Sequence, residues 1–181
     1  DVSIGPFQAS GIPTLNAGVG NLIIDPVVST HGMLVVANIV AASTTLIDAG
    51  QEVDLFNNAD TNFGTLNLTA NTATVYQSSP IVLGAISVNN LTIITKGDLT
   101  QTGPLGASLL SIASGGAVTL TNPGNNITQL GQINHVNAAT IASGGSPLVS
   151  TLDNPSQTFS LNVQGNQSSM CLTHSTNMTT L

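Results

Sequence analysis

The stretch SIASGGAVTLTNPGNNIT, residues 111–128, alternates apolar and polar residues and then breaks into Asn, Pro and Gly. Runs of the same kind recur along the chain: VDL at 53–55, LNLT at 66–69, TVY at 74–76, LTIIT at 91–95, SLLSI at 108–112, ATIA at 139–142 and FSLNV at 159–163. Alternation over a few residues, bounded by turn formers, marks a strand with one buried face. Thr, Val and Ile dominate these runs, as pleated surfaces favour. No segment carries a 3.6-residue period, so the sequence predicts an all-β chain with almost no helix.

The runs belong to longer copies. LIDAGQEVDLFNN (46–58) lines up with SIASGGAVTLTNP (111–123), which sets Val53 on Val118, Asn57 on Asn122 and, further on, Asp60 on Asn125. NTATV (71–75) matches NAATI (137–141), and SSPIVL (78–83) matches GSPLVS (145–150), at nearly the same offset. A unit of about 65 residues, divided into three turns of about 21 or 22 with about three short strands each, predicts a solenoid. The architecture expected is a parallel β-helix, each turn about 4.8 Å above the last. A β-sandwich also accommodates evenly spaced short strands, but it gives no reason for copies at a fixed offset. Asn57, Asn122 and Asn125 are the candidate turn residues for stacked amide ladders.

Composition narrows the function. Aromatics are 3% of the 181 residues and there is no Trp, so the core is to be built from Val, Leu, Ile and Ala. Charged residues are 5%, against about 25% in ordinary globular domains. Lys96 is the single basic residue and the net charge is −7, so no basic footprint for nucleic acid can be assembled. The longest apolar run, GMLVVANIVAA at 32–42, is interrupted by Asn38 and falls short of the roughly 18 residues of a membrane span. Membrane insertion is therefore not expected. The chain opens on Asp1 without a basic, signal-like start, which suggests a processed form or an excised piece.

No motif carries catalytic or cofactor chemistry. Asp48, Glu52, Asp54 and Asp60 form the one local group of acids. A calcium site there is weighed against solvated turn acids, and the latter is preferred because Asp54 alternates with Val53 and Leu55 and should point outward. His31, His135 and His174 are scattered, and Cys171 with His174 lacks the spacing of a zinc site. Cys171 stands alone, so no internal disulfide forms. Sequons at Asn67, Asn90, Asn126, Asn166 and Asn177 are a minor modification hypothesis. No catalytic residue, metal or cofactor is expected.

GDLTQTGPLGASLLSIASGGAVTLTNPGNNITQLGQI, residues 97–133, resembles the repeats of filamentous haemagglutinin-type exoproteins, with Gly97–Gly103, Ala107–Leu109 and Gly115–Asn126 carrying the pattern. The resemblance extends over about residues 33–165 and includes a decayed copy at 43–62. It implies a right-handed parallel β-helix, exported by two-partner secretion to the outside or surface of a Gram-negative bacterium. The family's N-terminal secretion motifs and any toxin-like module are absent from this sequence, so the shaft is what the resemblance transfers.

Three segments follow: residues 1–30 as a cap or intersubunit strand arm, 31–166 as the solenoid, and 167–181 as a terminal turn or joint. Ile4, Phe7, Ile12, Leu15, Leu22, Ile23 and Ile24 near one end, and Met170 and Leu172 near the other, are the candidate assembly residues, because open solenoid ends pair with other chains. The expected role is a structural filament or fibre-shaft subunit stacking head to tail with itself, at a cell surface or in a biofilm matrix. An adhesin module binding glycans or host surfaces is the alternative, and a polysaccharide lyase or hydrolase ranks last.

Overall fold

The structure, a computed structural model, describes the backbone at residues 2–4, 14–16, 20–24, 33–47, 52–57, 62–134, 139–143, 148–153 and 161–164. Side chains are described for residues 39–46, 52–55, 62–134 and 139–143. The strands are β1 (Val2–Ile4), β2 (Thr14–Asn16), β3 (Asn21–Ile24), β4 (Met33–Val40), β5 (Ser43–Ile47), β6 (Glu52–Asn57), β7 (Thr65–Gln77), β8 (Ile81–Thr95), β9 (Leu99–Gln101), β10 (Leu105–Ser114), β11 (Val118–Leu120), β12 (Asn126–Asn134), β13 (Ala139–Ala142), β14 (Leu148–Asp153) and β15 (Leu161–Gln164).

Every pairing among these strands is parallel. One path runs β1-β3-β5-β7-β8-β9-β11-β13-β15, and the remaining strands stack beside it in the same sheet. The chain is thus an all-β solenoid, with about four coils between Asn62 and Ser143. Coil length varies. Thr65 pairs with Val82, Thr72 with Asn90, Leu91 with Leu110 and Val118 with Ala139. Most coils are therefore shorter than the 21 or 22 residues read from the sequence.

Parallel sheets are usually covered on both faces. Here the sheet wraps around itself, so one side packs inward and the other meets water, and a parallel sheet acquires an alternating pattern. The alternation breaks where the chain turns a corner. In β8 it first slips at the buried pair Leu83–Gly84, runs on to Val88, meets two exposed residues at Asn89 and Asn90, and resumes at Leu91. Asn71–Thr72 in β7 and Ser108–Leu109 in β10 break it in the same place on neighbouring coils. Each coil thus presents three faces. The first carries β9, β11 and β13, the second the start of β10, and the third its end.

The interior is a set of aliphatic columns. Ala73, Leu91, Leu110 and Leu130 stack in register, as do Val75, Ile93, Ile112 and Ile133, and Ile81, Leu99, Val118 and Ala139. All are buried. Phe63 is the largest of the fully buried side chains.

A polar column closes the third face. Gln77, Thr95 and Ser114 are buried and stacked. Thr95 Oγ1 donates to Ser79 O at 2.8 Å and accepts from Gly97 N at 3.2 Å. Ser114 Oγ donates to Gly97 O at 3.0 Å, and Gln77 Nε2 donates to Pro80 O. Each hydroxyl reaches the turn of the preceding coil and satisfies carbonyls that the turn leaves without sheet partners. Gly64 permits another turn: its φ is 64°, and a Cβ there would overlap the Ala42 carbonyl.

The sequence copies do not stack on one another. Val53 pairs with Ala73, Ala73 with Leu91 and Leu91 with Leu110, so three coils carry Val53 to Leu110 on the third face. Val118 lies on the first face beside Leu99. The copies are a fraction of a coil out of phase, which is open to a chain whose faces share one alternating composition.

The N-terminal strands also join the stack. Val2 pairs with Leu22, Leu22 with Thr44 and Thr44 with Leu66. The described parts of residues 1–30 thus pair within the chain. Their short runs, VSI and NLII, form strands that pair in parallel as those of the later coils do.

Candidate binding groove

The second face carries an open groove of about 380 Å³. Register explains its shape. Thr69, Ser87, Gly106 and Asn126 form one outward column, and the corner residues Asn89 and Ser108 lie beside it. Gly106 leaves the column without a side chain at one level, so the groove opens between Ser87 and Asn126. Ala70, Val88 and Ala107 form its floor. Their side chains belong to the buried inward column of the same strands, with 8%, 5% and 5% exposure. The corner is braced by Asn89 Nδ2 donating to Asn71 Oδ1 at 2.8 Å. Asn67 spans coils next to it: Nδ2 donates to Thr45 Oγ1 at 3.2 Å, and Oδ1 accepts from Ala85 N at 2.9 Å.

The opposite edge of the coil is knitted by a buried amide pair. Gln101 Nε2 donates to Asn125 Oδ1 at 2.8 Å, and Asn125 Nδ2 returns a bond to Gln101 Oε1 at 2.9 Å. Asn125 Oδ1 also accepts from Leu105 N at 2.9 Å, and the two hydrogens on Nδ2 are shared among Gln101 Oε1, Leu120 O at 3.2 Å and Ala142 O at 2.9 Å. Asn125 is 2% exposed. One amide thereby ties three coils.

Of the turn asparagines singled out from sequence, Asn122 and Asn125 share one turn, with Asn125 N donating to Asn122 O. Asn122 Oδ1 folds back to accept from Gly124 N at 2.8 Å. Asn57 belongs to the third face, where its backbone pairs with Gln77. It does not stack on Asn122. The inter-coil amide contacts at Asn71–Asn89 and Gln101–Asn125 were missed, because Gln and Asn at strand ends and corners look alike in a chain rich in both.

Among the candidate assembly residues, Ile4 lies in β1, Leu15 in β2 and Leu22, Ile23 and Ile24 in β3. Phe7, Ile12, Met170 and Leu172 lie outside the described residues. So do Asp48, Asp60, the three histidines and Cys171. Glu52 is exposed. Asp54 is half-buried, with Oδ1 buried and unpartnered among the described residues. Among those residues no three His, Cys, Asp or Glu side chains come together as a metal site. Among the described residues no helix is long and apolar enough to cross a membrane.

A family model described as repeats of unknown function (DUF5649) matches residues 70–130. That span covers about a third of the chain and runs from within β7 to within β12, through the groove and the amide pair. No curated protein and no solved structure matches the chain.

Proposed function

We propose that this chain is a structural element rather than an enzyme: a fibre-shaft solenoid, stacking head to tail with copies of itself outside a bacterial cell. The observation that carries the reading is the continuity of the stack. Among the described residues, β1 and β15 end the strand path, and each pairs there with one strand. The free edge of such a strand is a template for another. The coils between them present a nearly uncharged outer surface, so copies repel weakly across a joint. The likeness of residues 97–133 to haemagglutinin-type exoprotein repeats supports an adhesin shaft at a Gram-negative surface as the setting.

The test is electron microscopy of the purified chain at neutral pH across a concentration series. Filaments whose power spectrum shows a meridional repeat near ~4.8 Å are expected. Monodisperse short rods at every concentration would overturn head-to-tail assembly.

A further inference from the structure

We propose that the groove over Gly106 is a binding site for an uncharged carbohydrate chain. A shaft needs no such site, so the inference stands apart from the structural role.

Gly106 is the first argument. Nine glycines lie between residues 62 and 134, and at eight of them an added Cβ would come within 3.2 Å of a neighbour or closer. At Gly106 the nearest atom is Ile86 O at 3.6 Å, which is ordinary contact. Its φ is not in the left-handed region either. A glycine inside a strand forgoes packing and adds entropy to the unfolded chain, and it often marks a place where something else approaches the backbone. Here folding does not demand the missing side chain, and what its absence creates is the groove.

The lining sets the ligand class. Thr69, Ser87, Ser108 and Thr128 offer hydroxyls, and Asn89 and Asn126 offer amides. Each of these groups both donates and accepts, as sugar hydroxyls do. No charged residue lines the groove, so nothing there selects an ion. Coils repeat at about 4.8 Å, close to the length of one pyranose unit, so an extended oligosaccharide can present similar groups to successive coils. An added peptide strand is excluded by the pairing: Gly106 is already matched to Ser87 on one side and Asn126 on the other, so no free sheet edge is offered. With no aromatic ring in the lining, affinity per sugar is low and accumulates along the chain.

The test is an NMR titration of the full chain with neutral hexasaccharides of glucose, mannose and N-acetylglucosamine at millimolar concentration. The expected result is shifts confined to the groove residues with at least one of the three. Gly106→Val places a branched side chain in the groove from a Cβ position whose nearest neighbour is 3.6 Å away, and is expected to weaken binding by about tenfold or more, as losing two hydrogen bonds does. Ser108→Ala removes one hydroxyl without adding volume and is expected to weaken it less. Thr92→Val, exposed on the third face, leaves binding unchanged. The proposal is overturned if no hexasaccharide shifts the groove, if the shifts fall on another face, if they persist in both groove variants, or if only sulfated or acidic oligosaccharides produce them.

Discussion

Replacing Asn125 by Ala tests whether the coils are held by the buried amide pair as well as by the aliphatic columns. Gln101 keeps partners after the change, because Nε2 still donates to Gly103 O at 2.6 Å and Oε1 still accepts from Asn122 N at 3.3 Å. Leu105 N loses the acceptor that the structure gives it in Asn125 Oδ1, and its residue is fully buried. A stranded buried donor costs about 1–3 kcal/mol, and the two lost bonds to Leu120 O and Ala142 O add about 0.5–1.5 kcal/mol each. The expected loss is about 3 kcal/mol, or about 6–12 °C in melting temperature for a chain of this size. Asn122→Ala is the control: its side chain makes one local turn bond to Gly124 N, so the loss is about 0.5–1 kcal/mol. Thermal melts followed by far-UV circular dichroism decide the matter. An Asn125→Ala protein that melts no lower than Asn122→Ala would refute the reasoning, since the amide would then be replaceable by water.

Three further outcomes follow from the packing. Leu110→Ala empties one level of a column whose member is fully buried, and should cost about 2–5 kcal/mol, read as a lower urea midpoint at unchanged slope. Gly64→Ala forces a side chain into a left-handed turn against the Ala42 carbonyl and should destabilise by more than about 1 kcal/mol, whereas Gly106→Ala should be neutral or stabilising by up to about 1 kcal/mol; paired urea melts separate the two. Thr95→Val keeps the shape but strips the hydroxyl from Ser79 O and Gly97 N, and should cost about 1–3 kcal/mol in the same assay.

The fold was legible because inward and outward residues alternate almost without error through runs such as Ala73–Gln77 and Leu91–Thr95. Coil phase was not. An extra residue at Gly84–Ala85 shifts the register against β7, and another at Gly131 shifts it against β10. Such bulges change coil length without disturbing local alternation, so copies matched by eye land on different faces. Burial of Gln77, Thr95, Ser114 and Asn125 was equally hidden. Ser, Thr and Asn fill the outer face throughout, and their inward use depends on turn carbonyls that only the closed coil brings within reach. Nothing in the sequence sets Gly106 apart from the turn glycines; its distinction appears only when the space beside its Cα is known.

The direction of the backbone hydrogen bonds has a mechanical consequence. In this stack they run along the long axis, between one coil and the next. Tension applied at the two ends therefore loads the bonds of a terminal coil before those of its neighbours. Failure proceeds by peeling, one coil after another. Each released coil, such as the 18 residues from Thr72 to its partner Asn90, adds about 60 Å of extended chain. A tether built this way gives ground in small repeated steps and re-forms from the coil still in place. Bending forces, in contrast, are spread over the three faces at once.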